Sequence, residues 1–164
     1  MVEKFKRFIV IINLLLSLFL TNLLAQESVT IINQDLSQGV TLELNTSTLI
    51  PSTNFLVISD SSNHTLALSN LVLNDQNIWI KKSSETVNTT NTVHWYYDEN
   101  SQFLYIDLTG IKESFSANTV LQLTILPLKT FESYLSFSVF ESSSNSGNIP
   151  DVLQKVSDFK VDLK

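Results

Sequence analysis

The sequence predicts an all-β fold, an antiparallel β-sandwich of about nine short strands with immunoglobulin-like or jelly-roll-like character. Three observations point there. Apolar residues recur with a period of two in one short segment after another, as in half-buried strands. Clusters of Asp, Asn, Ser and Gly separate those segments. Only one stretch has helical spacing, and it is long enough for one or two turns at most.

Taken in order, residues 29–32 form a candidate edge strand and residues 39–44, Gly-Val-Thr-Leu-Glu-Leu, a cleanly alternating one. Strands at 55–59 and 65–73 flank the turn Asp60-Ser61-Ser62-Asn63, and Asn74-Asp75-Gln76-Asn77 leads into a strand at 78–82. Residues 92–97 and 103–108 make a hairpin around 98–101. The segment 119–126 runs into Pro127, which would forfeit a ladder hydrogen bond, so a strand end, an edge or a bulge is expected there. Residues 133–140 are followed by a Ser/Asn/Gly loop at 142–148. Pro150 suits a first helical position, with Val152, Leu153 and Val156 behind it at helical spacing. The strand 158–163 alternates three apolar with charged positions and closes the domain.

The first residues read as an export signal: Lys4, Lys6 and Arg7 precede an apolar run from Phe8 to Leu20, and Ala25 offers a cleavage site. Residues 1–25 are thus expected to be removed. The run is shorter than the roughly 20 apolar residues that span hydrocarbon, and Asn13 and Asn22 interrupt it. No Cys follows for lipid attachment. What remains, residues 26–164, is one domain, long enough to bury roughly 70% of its unfolded surface without disulfides. The absence of Cys fits an exported bacterial domain.

The net charge is -6 and the only Arg, Arg7, lies in the leading segment. Beyond that segment the one adjacent basic pair is Lys81-Lys82, too little to neutralise a phosphate backbone, so nucleic acid is not an expected partner. The pair reads as a charged strand end that discourages edge pairing.

Catalytic signatures are missing. There is no Gly-x-Ser-x-Gly elbow, and His64 and His94 are the candidate bases. The carboxylates Asp98 and Glu99 are adjacent and point apart in an extended chain. Two isolated His residues lack zinc spacing. The turns beginning at Asp60, Asp75 and Asp98 each offer a few oxygens, whereas calcium takes roughly six to eight, so two turns would have to converge. Gly39, Gly110 and Gly147 are far apart and build no phosphate cradle. The expectation is a non-enzyme with no cofactor and no metal ligands, calcium being the one cation with oxygens on offer.

The hairpin Val93-His94-Trp95-Tyr96-Tyr97-Asp98-Glu99-Asn100-Ser101-Gln102-Phe103-Leu104-Tyr105-Ile106-Asp107-Leu108 says more. With Asp98–Ser101 as the loop, Tyr97 faces Gln102, Tyr96 faces Phe103, Trp95 faces Leu104 and His94 faces Tyr105. Alternation puts Val93, Trp95, Leu104, Ile106 and Leu108 on a core face. The opposite face carries His94, Tyr96, Phe103 and Tyr105, with Asp107, a set of rings and polar tips suited to stacking a sugar or seating a protein. Aromatic cross-strand pairs also stabilise a hairpin by about 0.2 to 1 kcal/mol each with no ligand at all.

From this hairpin onward, the succession Phe103–Gly110, Asn118–Ile125, Leu135–Phe140, the Ser/Asn/Gly loop and the final Phe159–Leu163 strand resembles the closing half of cohesin-like domains and related carbohydrate-binding-module sandwiches. The resemblance is one of strand spacing. It implies a sandwich that docks a protein or a glycan. The first half lacks the Tyr-Asp-Pro loop usual in cohesins, so no dockerin-contact residue is carried over.

Together these readings give an exported, non-catalytic recognition or adhesion module, secreted or held at the cell surface or in the periplasm, binding a glycan or protein. The alternative is a structural or assembly subunit of an extracellular complex, cohesin-type docking included; a hydrolase comes last.

Overall fold

The computed structural model describes residues 29–35, 39–49, 51–61, 64–83, 90–115, 119–128, 134–143 and 153–162. These form eleven strands: β1 (Val29–Asp35), β2 (Gly39–Asn45), β3 (Phe55–Asp60), β4 (Leu66–Leu73), β5 (Gln76–Asn77), β6 (Trp79–Lys82), β7 (Thr92–Asp98), β8 (Phe103–Asp107), β9 (Val120–Pro127), β10 (Tyr134–Ser142) and β11 (Gln154–Asp162). Single 3-10 turns lie at Thr46–Thr48 and Lys112–Ser114. The expected signal, residues 1–25, lies outside the described residues, as do residues 144–148 of the loop expected at 142–148 and Pro150; Ser142, expected in that loop, ends β10. No helix among the described residues is long and apolar enough to cross a membrane.

Two sheets pack face to face, with strand orders β1-β2-β9-β4-β5 and β11-β10-β3-β8-β7-β6. The fold is the all-β sandwich that the alternation predicts. Every pair is antiparallel except β6 with β7, which is parallel. After β5 the backbone crosses at Ile78 from one sheet to the other, and β6 enters the second sheet beside β7 and running in its direction.

The core lies between the sheets. Val40, Leu42, Leu44, Leu121, Leu123 and Ile125 face Leu56, Ile58, Val93, Leu104, Ile106 and Phe137, all buried. Alternation is strict in β9, where buried and half-buried residues succeed one another along Val120–Pro127. Pro127 is the strand's last residue, opposite Leu66, the strand end that a proline requires.

Two expectations are corrected here. Val156 belongs to β11, which begins at Gln154, and not to a helical turn. A bulge between Val139 and Phe140 lets β11 continue along β10, so ladder pairing overrides a spacing that reads as helical. Gln76 and Asn77, expected as turn, pair back onto β4. Asn74 and Asp75, at φ 47° and 64°, form the two-residue turn between them.

Candidate functional site

The hairpin β7–β8 pairs Asp98 with Phe103, Tyr97 with Leu104, Tyr96 with Tyr105, Trp95 with Ile106 and His94 with Asp107. The expected register is therefore corrected by two positions. The cause is the turn. Asp98 accepts from the Asn100 N–H at 3.2 Å, the Ser101 N–H at 3.3 Å and the Ser101 hydroxyl at 2.7 Å, and Gln102 takes φ 59°. The loop is thereby 99–102, with Asp98 as its Asx anchor. A slip of two keeps every side chain on its face. Val93, Leu104, Ile106 and Leu108 are buried in the core, and Trp95 packs half-buried against them. Lys82 Nζ lies 5.6 Å from the Trp95 ring centroid, within cation–π reach.

The outer faces of the two sheets differ. On the five-stranded sheet the outward residues mix aliphatic side chains, Ala67, Val72 and Leu126, with polar ones that bond across strands: Thr41 with Thr124 at 3.1 Å, and Gln122 donating to Glu43 at 2.9 Å. That is the ordinary solvated face of an antiparallel sheet. The six-stranded sheet carries a second apolar cluster on its outer side, in which Phe55, Val57 and Tyr105 are buried and Tyr96, Phe103, Phe140 and Leu153 are half-buried.

All four residues singled out in the hairpin reach that outer face, but at different depths. Tyr105 is 2% exposed and His94 4% exposed, so both lie beneath the surface. Tyr96 and Phe103 stay half-buried above them. Tyr96 stacks on Tyr105 with ring centroids 4.8 Å apart and planes 13° from parallel. Phe103 meets Tyr105 edge-on at 6.0 Å, and Phe140 lies tilted against Phe103 at 6.2 Å. The Tyr105 hydroxyl lies 3.4 Å from that of Ser101, at the loop that Asp98 organises. Asp107 is buried beside His94 and accepts from the Thr109 N–H and hydroxyl at 2.9 and 2.6 Å.

Burial among these rings, with the charges of Tyr105, Asp98 and Asp107, pushes the Tyr96 phenol up to about 12. Burial raises Tyr105 as well, against the hydrogen bond from Ser101. Asp98 moves the other way, held down by the Ser101 hydroxyl and the Asn100 N–H. The Tyr phenols thus stay neutral and the Asp98 carboxylate charged at neutral pH, which sets hydroxyl donors and an anion beside the stacked rings.

No family model matches this chain, and no curated protein matches it. One similar solved structure is that of BcpA, the major pilin subunit of Bacillus cereus, with a TM-score of 0.37 and 9% sequence identity. The match covers 75% of this chain and 33% of that one, so the chain spans about a third of that protein's length.

His64, the other candidate base, sits elsewhere. Its Nδ1 lies 2.5 Å from Asp60 Oδ2, with both side chains fully buried. Asp60 also accepts from the His64 N–H at 3.0 Å and the Ser136 N–H at 3.2 Å, and the Tyr97 hydroxyl donates to the His64 carbonyl at 3.1 Å. This His–carboxylate pair ties the end of β3 to β7 and β10. Sequence reading missed it, although the two residues are four apart, because both fall outside the alternating segments, where a period of two carries no information on contacts. The Asp60 carboxylate is thus occupied by internal bonds, and among the described residues no three His, Asp or Glu side chains gather as a metal cluster would.

Proposed function

We propose that this chain is an exported, non-catalytic recognition module that binds a glycan or protein through the outer face of its six-stranded sheet. The observation that carries the reading is the asymmetry between the sheets: the outward residues of one mix polar and small aliphatic side chains, and the other carries a stacked aromatic cluster with Tyr96 and Phe103 at its surface. A ring pair with an adjacent carboxylate, Asp98, and a hydroxyl, Ser101, can offer stacking and hydrogen bonds to a sugar or a peptide together. In this reading Tyr96 and Phe103 touch the ligand. Tyr105 and His94 support them from below. Export rests on the basic and apolar leading segment, and Ala25 as the cleavage position is checked by sequencing the N-terminus of the secreted protein.

The test is a glycan array and a surface-protein pull-down with the wild type and with Tyr96→Ala and Phe103→Ala, each checked for folding by circular dichroism. Both variants are expected to fold and to lose the captured ligand. Folded variants that bind as the wild type does would remove the outer face from the function.

A further inference from the structure

The outer edge of the six-stranded sheet, β6, is not used by the function proposed above. β6 bonds on one side only, to β7, and among the described residues no strand lies beyond it. The Ser83 N–H donates to the Trp95 carbonyl at 2.9 Å, which fixes the alternation along this parallel pair. Trp79, Lys81 and Ser83 turn their backbone groups toward β7. Ile80 and Lys82 turn theirs outward. A row of main-chain donors and acceptors at a sheet edge is a template for one more strand.

The side chains say which strand. Trp79 is 80% exposed on the outer side of the sheet, opposite Thr92, and Lys81 follows on the same side opposite His94. Ile80 lies on the inner side, packed half-buried against the core, with Lys82 after it. Lys81 and Lys82 are both exposed and are the one adjacent basic pair beyond the leading segment of a chain with net charge -6. A second copy fits poorly: two β6 strands paired about a two-fold axis would bring four lysines into one short ladder, and like charges across a ladder repel. The lysines that exclude a second copy favour an acidic occupant.

We propose that the β6 edge takes an extended segment of another protein, alternating apolar and acidic residues, as a seventh strand. Its backbone pairs with Ile80 and Lys82, its apolar side chains continue the inner face beside Ile80, and its carboxylates lie along Lys81 under the Trp79 ring.

The test uses the full chain and a synthetic peptide of alternating valine and glutamate, with two controls: the same peptide with lysine for glutamate, and the glutamate peptide N-methylated along one edge. The glutamate peptide is expected to change tryptophan fluorescence and to slow amide exchange at Ile80 and Lys82. Lys81→Glu with Lys82→Glu should weaken it by about tenfold or more, and the controls should not bind. Tyr96→Ala should leave this binding intact, which separates it from the recognition face. No binding of the glutamate peptide overturns the proposal. So does equal binding of the N-methylated peptide, which would show charge attraction without strand pairing, or indifference to the charge reversal.

Discussion

Tyr96 shows how one side chain joins the stability of the sheet to its exposed face. Its ring stacks on Tyr105 while burial and nearby carboxylates hold its phenol at about 12, above the ordinary 10.0. A group that keeps its proton longer when folded contributes stability in full below its unfolded value and loses it as pH rises through the folded one. The free energy of unfolding should therefore fall between pH 10 and about 12. Tyr96→Phe should flatten part of that fall in denaturant titrations, and an unchanged slope would show that Tyr96 ionises alike in both states. At this scale the sequence was informative about faces and silent about depth. Alternation sent His94, Tyr96, Phe103 and Tyr105 to one side, yet nothing in a period of two says that a satellite cluster with Phe55 and Val57 covers Tyr105. Trp79 escaped notice for a related reason: in Ile78-Trp79-Ile80 every residue is apolar, so the pattern does not show which one a terminal strand leaves in water.

At the scale of elements, composition marked the strands, and local turn chemistry set how they meet. Gly39 opens β2 at φ 97°, a conformation L side chains rarely adopt, and a Cβ there would stand 2.6 Å from the Ile125 carbonyl oxygen. β2 and β9 can approach at that point because the side chain is missing. Gly39→Ala should therefore cost more than about 1 kcal/mol in equilibrium unfolding, through strain and clash together. A neutral effect would mean that β2 starts farther along the chain. The same contrast explains the hairpin. Its strands were legible in Val93–Tyr97 and Phe103–Leu108, but the register depended on three hydrogen bonds to Asp98, which move the loop by one residue without changing any face. The bulge at Val139/Phe140 likewise lengthened β11 beyond what spacing around Val156 suggested.

Across the whole molecule, the two sheets close around one core, and their strands differ in how firmly they are held. β3, β8, β2 and β9 have partners on both sides and supply Leu56, Ile58, Leu104, Ile106, Leu42 and Leu123 to the core. β6 has four residues, one partner among the described strands and an exposed Trp79. Local opening is governed by such differences in packing and pairing, so native-state hydrogen exchange should divide the molecule accordingly. Amides of Leu104 and Ile106 should open only with global unfolding. The amide of Lys81, bonded to β7, should exchange through a smaller opening, and those of Ile80 and Lys82, turned outward, should exchange faster still. If Ile80 and Lys82 were protected as strongly as Leu104 in the isolated chain, another segment would already occupy the edge, and no partner strand could add there. The sandwich could be read from period-two alternation, because every strand must bury one face. Which described strand ends the six-stranded sheet could not, because it depends on where the chain crosses between sheets, at Ile78, and that crossing leaves no periodic trace.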